Sequence, residues 1–152
     1  MKVTVPTQKD LKIYQMNKKE GPWECMATTL TTSLFYEDHL SIGHVGDCRV
    51  YQVRDGRILC LTKDHSVDRH TLTRAIGTSF DIEVDVYEWQ IKPNDCYIQC
   101  SDGLYSMVSE KDILNSAAES SVEKACEQLV KLANENGGAD NITLQVIRLT
   151  GF

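Results

Sequence analysis

The run Cys96-Tyr97-Ile98-Gln99-Cys100 leads without a break into Ser101-Asp102-Gly103-Leu104. The first five residues read as a buried strand. The Ser-Asp-Gly that follows places a carboxylate at the strand's mouth, with a glycine to free the backbone behind it. A second such stretch, Gly137-Gly138-Ala139-Asp140-Asn141-Ile142-Thr143-Leu144, has its Asp just before a strand. Two Asp residues at opposite ends of neighbouring strands converge on one spot. Carboxylate oxygens there suit a hard cation such as Mg²⁺ or Mn²⁺.

The 152 residues allow one domain with a real core, and the reading takes 1–152 as a single domain. A hydrophobic fraction of 41% and a charged fraction of 25% are those of an ordinary globular chain. The net charge of −6 argues against nucleic-acid and anionic-membrane partners. No apolar run is long enough to span a bilayer, and Met1-Lys2-Val3-Thr4-Val5-Pro6 lacks a signal-peptide core. A cytoplasmic location is the expectation. Of the six Cys, none forms a Cys-x-x-Cys pair, and Cys60, Cys96, Cys100 and Cys126 sit in apolar runs. Reduced core thiols are expected rather than disulfides or zinc ligands.

Along the chain, 8–19 has weak helical character that Gly21-Pro22 ends. Thr28 to Tyr36 and Leu40 to Val45 read as a hairpin about Glu37-Asp38. Arg49 to Val53 and Arg57 to Thr62 flank Asp55-Gly56, a two-residue hairpin signal. Lys63 to Arg69 reads as a polar loop whose side chains brace one another, and Leu72 to Ile76 as a helical turn closed by Gly77. Glu83 to Ile91 alternates as a strand, with Val84, Val86 and Glu88 on one face. Ser109 is the N-cap candidate of one helix, Ser120-Ser121-Val122-Glu123 offers a capping box for a second, and Gly137 is the C-cap of the second. A final strand covers Ile142 to Leu149. Strands, then two helices, then a strand make an α+β protein with antiparallel sheet.

Six stretches in order resemble the metal-dependent protein serine/threonine phosphatases of the type 2C (PPM) family, most of all their compact bacterial members. They are Met26-Ala27-Thr28-Thr29-Leu30, His44-Val45-Gly46-Asp47-Cys48-Arg49-Val50-Tyr51, Leu61-Thr62-Lys63-Asp64-His65-Ser66, Leu72-Thr73-Arg74-Ala75-Ile76-Gly77, Cys100-Ser101-Asp102-Gly103-Leu104 and Asp140-Asn141-Ile142-Thr143. The resemblance implies an antiparallel β-sandwich flanked by helices in α-β-β-α layers, of which this chain is similar to the C-terminal two thirds. It implies two Mn²⁺ or Mg²⁺ ions whose bridging water attacks the phosphorus of phosphoserine or phosphothreonine. Asp102 and Asp140 match metal ligands of the family, and Asp47 matches the position of an additional, weaker metal. Asn141 would orient Asp140, with Gly103 beside Asp102.

The departures are as informative. Family members begin with an Arg and an Asn-Glu-Asp motif, then a strand ending in Asp-Gly-x-Gly-Gly, whose Asp bridges both metals. Neither motif is in this sequence, and Asp10 stands alone. The first strands of both sheets are therefore expected to be missing, leaving open sheet edges that invite self-association. Ala27 and Cys48 stand where Gly and Ser are usual, and the segment between Ser66 and Leu72 is short. Two functional readings follow: a phosphatase with part of its metal site in this chain, acting on phosphoproteins, or an inactive phosphatase-like module that binds a protein partner. Arg49 and Arg74 are expected in surface salt bridges, His44 in packing, and His65 and His70 in no shared metal site.

Overall fold

The computed structural model describes residues 1–5, 8–18, 26–68 and 71–151. Gly21-Pro22, Cys25 and His70 lie outside the described residues. The elements, in order, are β1 (Lys2–Val5), α1 (Gln8–Asn17), β2 (Leu30–Tyr36), β3 (His39–Val45), β4 (Arg49–Arg54), β5 (Arg57–Cys60), β6 (Ile82–Gln90), β7 (Cys96–Cys100), α2 (Asp102–Tyr105), α3 (Glu110–Ala117), α4 (Val122–Glu135) and β8 (Leu144–Arg148). They fall into two compact units, Met1–Cys48 with Asp64–Gln90 and Arg49–Lys63 with Ile91–Phe152.

The first unit holds a four-stranded antiparallel sheet in the order β1-β6-β3-β2. Leu40 and Ile42 are fully buried on β3, because alternate residues of a strand face one side. Tyr36 and His39 close the β2–β3 hairpin, with Glu37 taking the positive φ that the turn requires. β1 was not expected, since Lys2–Val5 is too short to declare itself by alternation. It pairs with β6 from Lys2↔Asp85 to Val5↔Ile82. The helical turn expected over Leu72 to Ile76 is absent. Ile76 instead forms a bridge with Thr28, its N–H 2.8 Å and its carbonyl 3.1 Å from their partners, and Leu72 bridges Ser66. Backbone groups bonded to other segments have none left for helical bonds.

The second unit holds the antiparallel sheet β5-β4-β7-β8. One face packs on α3 and α4 through Tyr51, Cys96, Ile98, Cys100, Ile113 and Leu129. The helix α3 starts at Ser109 as its sequence implies, whereas α4 is capped by Ser121, one residue beyond the Ser120 of the expected box. The Ser109 hydroxyl accepts from the Asp112 N–H, and that of Ser121 from the Lys124 N–H. Asp55 and Gly56, both at positive φ, turn β4 into β5. The expected α+β class, with antiparallel sheets and helices, is what the structure has. The described cysteines, Cys48, Cys60, Cys96, Cys100 and Cys126, are all free thiols.

Candidate metal centre

In the second unit β7 and β8 are antiparallel neighbours, with Cys100 opposite Leu144. The residues that leave β7 therefore lie beside those that enter β8. Ser101 ties the two segments together. Its N–H donates to the Thr143 carbonyl at 2.9 Å, its hydroxyl donates to the Asn141 carbonyl at 3.2 Å, and it accepts from the Thr143 N–H at 3.1 Å. Asp102 and Asp140 follow on adjoining turns.

Each carboxylate is held by the amide after it. The Gly103 N–H donates to Asp102 Oδ1 at 3.0 Å, and the Asn141 N–H donates to Asp140 Oδ1 at 2.7 Å. The bond from Asn141 to Asp140 is thus a backbone one. Asp102 is half-buried in the first turn of α2, and Asp140 is exposed. Gly103 is where the two turns touch, since a Cβ built on it would lie 2.3 Å from the Asn141 carbonyl oxygen.

Arg49 opens β4 opposite Cys100, at the same end of this sheet. Its guanidinium lies 3.8 Å over the ring of Tyr105, one helical turn after Asp102, and donates to the Tyr51 hydroxyl at 3.1 Å. Burial pushes the Tyr51 phenol well up, although Arg49 pulls the other way. Arg49 lies in the matched stretch His44 to Tyr51, but nothing local in the sequence places its guanidinium over Tyr105. At the opposite end of the strands, an open cleft of about 560 Å³ is lined by Gln52, Arg54, Asp55, Arg57, Ile58 and Leu59. It shares no residue with the Asp pair.

Asp47 belongs to the first unit, after Gly46 at the end of β3. Gly46 has φ +113°, and both its backbone polar groups go to His65. The Asp64-His65-Ser66 stretch is more than a self-braced loop. His65 is buried and faces Asp85, with Arg74 beside both. Arg74 forms the expected salt bridges, to Asp85 at 2.7 Å and Glu83 at 3.0 Å.

The carboxylate chemistry of Asp102 and Asp140 fits one hydrated hard cation, which typically keeps several waters and takes one or two protein carboxylates. A two-metal centre needs more. Among the described residues, no group of three or more His, Cys, Asp or Glu is placed to hold a metal ion.

Comparison with known proteins places the chain. The serine/threonine protein phosphatase PstP of Mycobacterium tuberculosis is 33% identical over 151 residues, which cover 88% of this chain and 29% of that protein. A putative protein phosphatase 2C-type of Streptococcus pyogenes is 28% identical over 156 residues, covering 90% of this chain and 63% of that one. The solved catalytic domain of PstP, in complex with two manganese ions, has a TM-score of 0.81 at 30% identity, covering 92% of this chain and 66% of that chain. No protein-family model matches the chain. The chain belongs to the type 2C (PPM) family of protein serine/threonine phosphatases. It spans less than two thirds of the length of these relatives. Among the described residues no helix is long and apolar enough to cross a membrane.

Proposed function

We propose that this chain is the part of a phosphoserine/phosphothreonine phosphatase domain that supplies Asp102 and Asp140 as ligands of a divalent cation. The observation that carries the reading is the joining of their two turns through Ser101 and Gly103. A Mn²⁺ or Mg²⁺ ion bound there would supply a water of lowered pKa and offset phosphate charge. The protein's part is to orient the two carboxylates by fixing each to its following amide. Asp47, in the first unit, is a separate candidate for a weaker cation by the family resemblance. Further oxygen ligands are needed for a two-ion centre, so turnover depends on residues beyond Asp102 and Asp140.

Hydrolysis of an aryl phosphate and of a phosphothreonine peptide, with Mn²⁺, tests this. Wild type is compared with Asp102→Asn and Asp140→Asn. Turnover that requires Mn²⁺ and is lost in both variants supports the reading. Turnover that survives in either folded variant removes that carboxylate from the site.

A second reading, a module that binds a protein partner, is favoured by the surface of β2. Leu30, Leu34 and Tyr36 are 52%, 62% and 43% exposed on one face of this strand, which lies at the end of its sheet order. Exposed apolar strands of this kind invite association. A second copy of the chain is the simplest partner. Light scattering during size-exclusion chromatography should then give a dimer mass that falls to the monomer in Leu34→Lys, and a wild-type monomer at high concentration removes self-association.

A further inference from the structure

We propose that the cleft on the β4–β5 hairpin docks an acidic peptide segment in extended form, which joins the sheet at the edge of β5. The cleft holds about 560 Å³, room for a few residues, and is lined by Gln52, Arg54, Asp55, Arg57, Ile58 and Leu59. All six belong to the second unit. None is part of the junction between Asp102 and Asp140, so the proposal does not rest on metal chemistry.

Among the described residues, β5 is the last strand in the order β5-β4-β7-β8, so one of its sides has no strand beside it. The ladder says which groups point that way. The Leu61 N–H donates to the Val50 carbonyl at 2.7 Å. In an antiparallel ladder, pairs that exchange hydrogen bonds alternate with pairs that do not. Gln52 with Leu59 and Arg54 with Arg57 are therefore bonded pairs, and Ile58 turns its N–H and carbonyl away from Val53, toward the open edge. The Ile58 side chain packs on the core beneath α3 and α4. What Ile58 offers outward is thus backbone, a donor and an acceptor to which no described residue is bonded.

The side chains around that edge favour an acid. Arg54 and Arg57 stand opposite each other at the end of the hairpin, on the same face as Gln52 and Leu59. Like charges so placed repel. Asp95 takes the fork of Arg54, but no described residue pairs with the exposed Arg57. Asp55, in the turn at positive φ, makes no described bond to it. Gln52 is already fixed by its bond to the Tyr97 hydroxyl at 2.9 Å, so this part of the lining is set before a ligand arrives. Leu59, 49% exposed, follows Arg57 on the same face. A strand added at the edge that sets a carboxylate by Arg57 sets the side chain two residues along by Leu59. The occupant selected is an extended segment with an acidic residue and an apolar one two positions apart, held by main-chain bonds to Ile58.

The test is binding of synthetic peptides to the whole chain, followed by NMR. The probe is a short threonine-rich peptide with one glutamate and a leucine two residues on. Binding should shift the Ile58 amide and slow its exchange with solvent about tenfold, while the Asp102 and Gly103 amides stay as they are. Glutamine in place of the glutamate should weaken binding about fivefold, and in Arg57→Gln that difference should vanish. A peptide with the leucine moved next to the glutamate presents the two on opposite faces and should also bind more weakly. No binding, binding that leaves the Ile58 amide unchanged, or equal affinity for the glutamate and glutamine peptides overturns the proposal. So does an Ile58 amide already protected in the free chain, which would mean that a second copy holds the edge.

Discussion

Gly103 and Asn141 meet so closely that a single added methyl has no room: it would lie 2.3 Å from the Asn141 carbonyl oxygen and 2.9 Å from its carbon. The obstacle is backbone, which cannot rotate away as a side chain does. Gly103 is not at positive φ, so Gly103→Ala tests space rather than backbone freedom. The substitution should force the α2 turn from the turn that bears Asp140. We expect a loss of about 1–3 kcal/mol in unfolding free energy, and Mn²⁺ binding, followed by electron paramagnetic resonance, weakened at least as much as in Asp140→Asn. Unchanged stability and binding would show that the two turns are not held in register by this contact.

Ser101 offers a gentler probe of the same junction. Ser101→Ala removes a donor to the Asn141 carbonyl and an acceptor for the Thr143 N–H, but leaves the backbone bond from its own N–H. These groups are near solvent, so water replaces part of what is lost. The expected cost is about 1 kcal/mol by urea denaturation. A cost near zero would mean that the ladder between β7 and β8 aligns the two Asp turns without help from the hydroxyl.

Much of this was legible in the sequence, for reasons that differ by region. The β7 strand and its exit could be read because the run that ends at Cys100 is followed at once by Ser101-Asp102-Gly103. The cap Ser109 could be read, and that of α4 to within one residue, because capping is local. What escaped was set by partners distant in sequence. Leu72 to Ile76 has apolar residues at helical spacing, yet Thr28, 48 residues before Ile76, takes both of its backbone bonds. His65 sits in a polar stretch, and only folding brings Asp85 and Gly46 to its two nitrogens. Arg49 has no local signal for its place over Tyr105. The family motifs located Asp102 and Asp140, while the touch between Gly103 and Asn141 needed the structure.

Asp85 sets an acid limit on the first unit. Burial would raise its carboxyl, but the hydrogen bonds from Arg74 and His65 outweigh that and hold it at about 2, against an ordinary 3.8. A carboxylate lowered on folding adds stability above its unfolded value and loses it as the pH falls through the folded one. The contribution is thus full above about pH 4 and is lost toward about pH 2, and it is on the order of 2 kcal/mol. Asp85→Asn should therefore be less stable than wild type at neutral pH, with the gap closing across that window. Urea titrations at several pH values measure it. A gap that does not depend on pH would assign the effect to geometry rather than charge.

Asp95 is the deeper ion pair, and in the second unit it has the larger role. Only 1% exposed, its carboxylate takes the Arg54 fork, Nε on Oδ1 at 2.7 Å and Nη2 on Oδ2 at 2.6 Å. Oδ2 also accepts from the Lys92 N–H at 2.8 Å and the Tyr97 hydroxyl at 2.9 Å, and Gln52 Nε2 lies 3.4 Å away. Burial would raise the carboxyl, yet Arg54, the Lys92 amide and Tyr97 together hold it below the usual carboxylate range. The same burial pushes the Tyr97 phenol up to about 12, so that it stays a donor. Asp95→Ala leaves the Arg54 guanidinium and three other donors without their acceptor. That should cost about 3–5 kcal/mol, the range for breaking a buried pair from one side. Arg54→Met leaves the carboxylate buried with only neutral donors, and the carboxyl should then gain a proton at higher pH than in wild type. Because a rise in the folded value removes stability above it, Arg54→Met should lose most at neutral pH and approach wild type in acid. A double variant, Arg54→Met with Asp95→Leu, replaces both charges by apolar groups and should recover part of the loss. Urea midpoints for the three variants decide the matter. A double variant no more stable than Asp95→Ala would mean that the hydrogen bonds to Lys92 and Tyr97, not the ion pair, hold this end of β7 to β4.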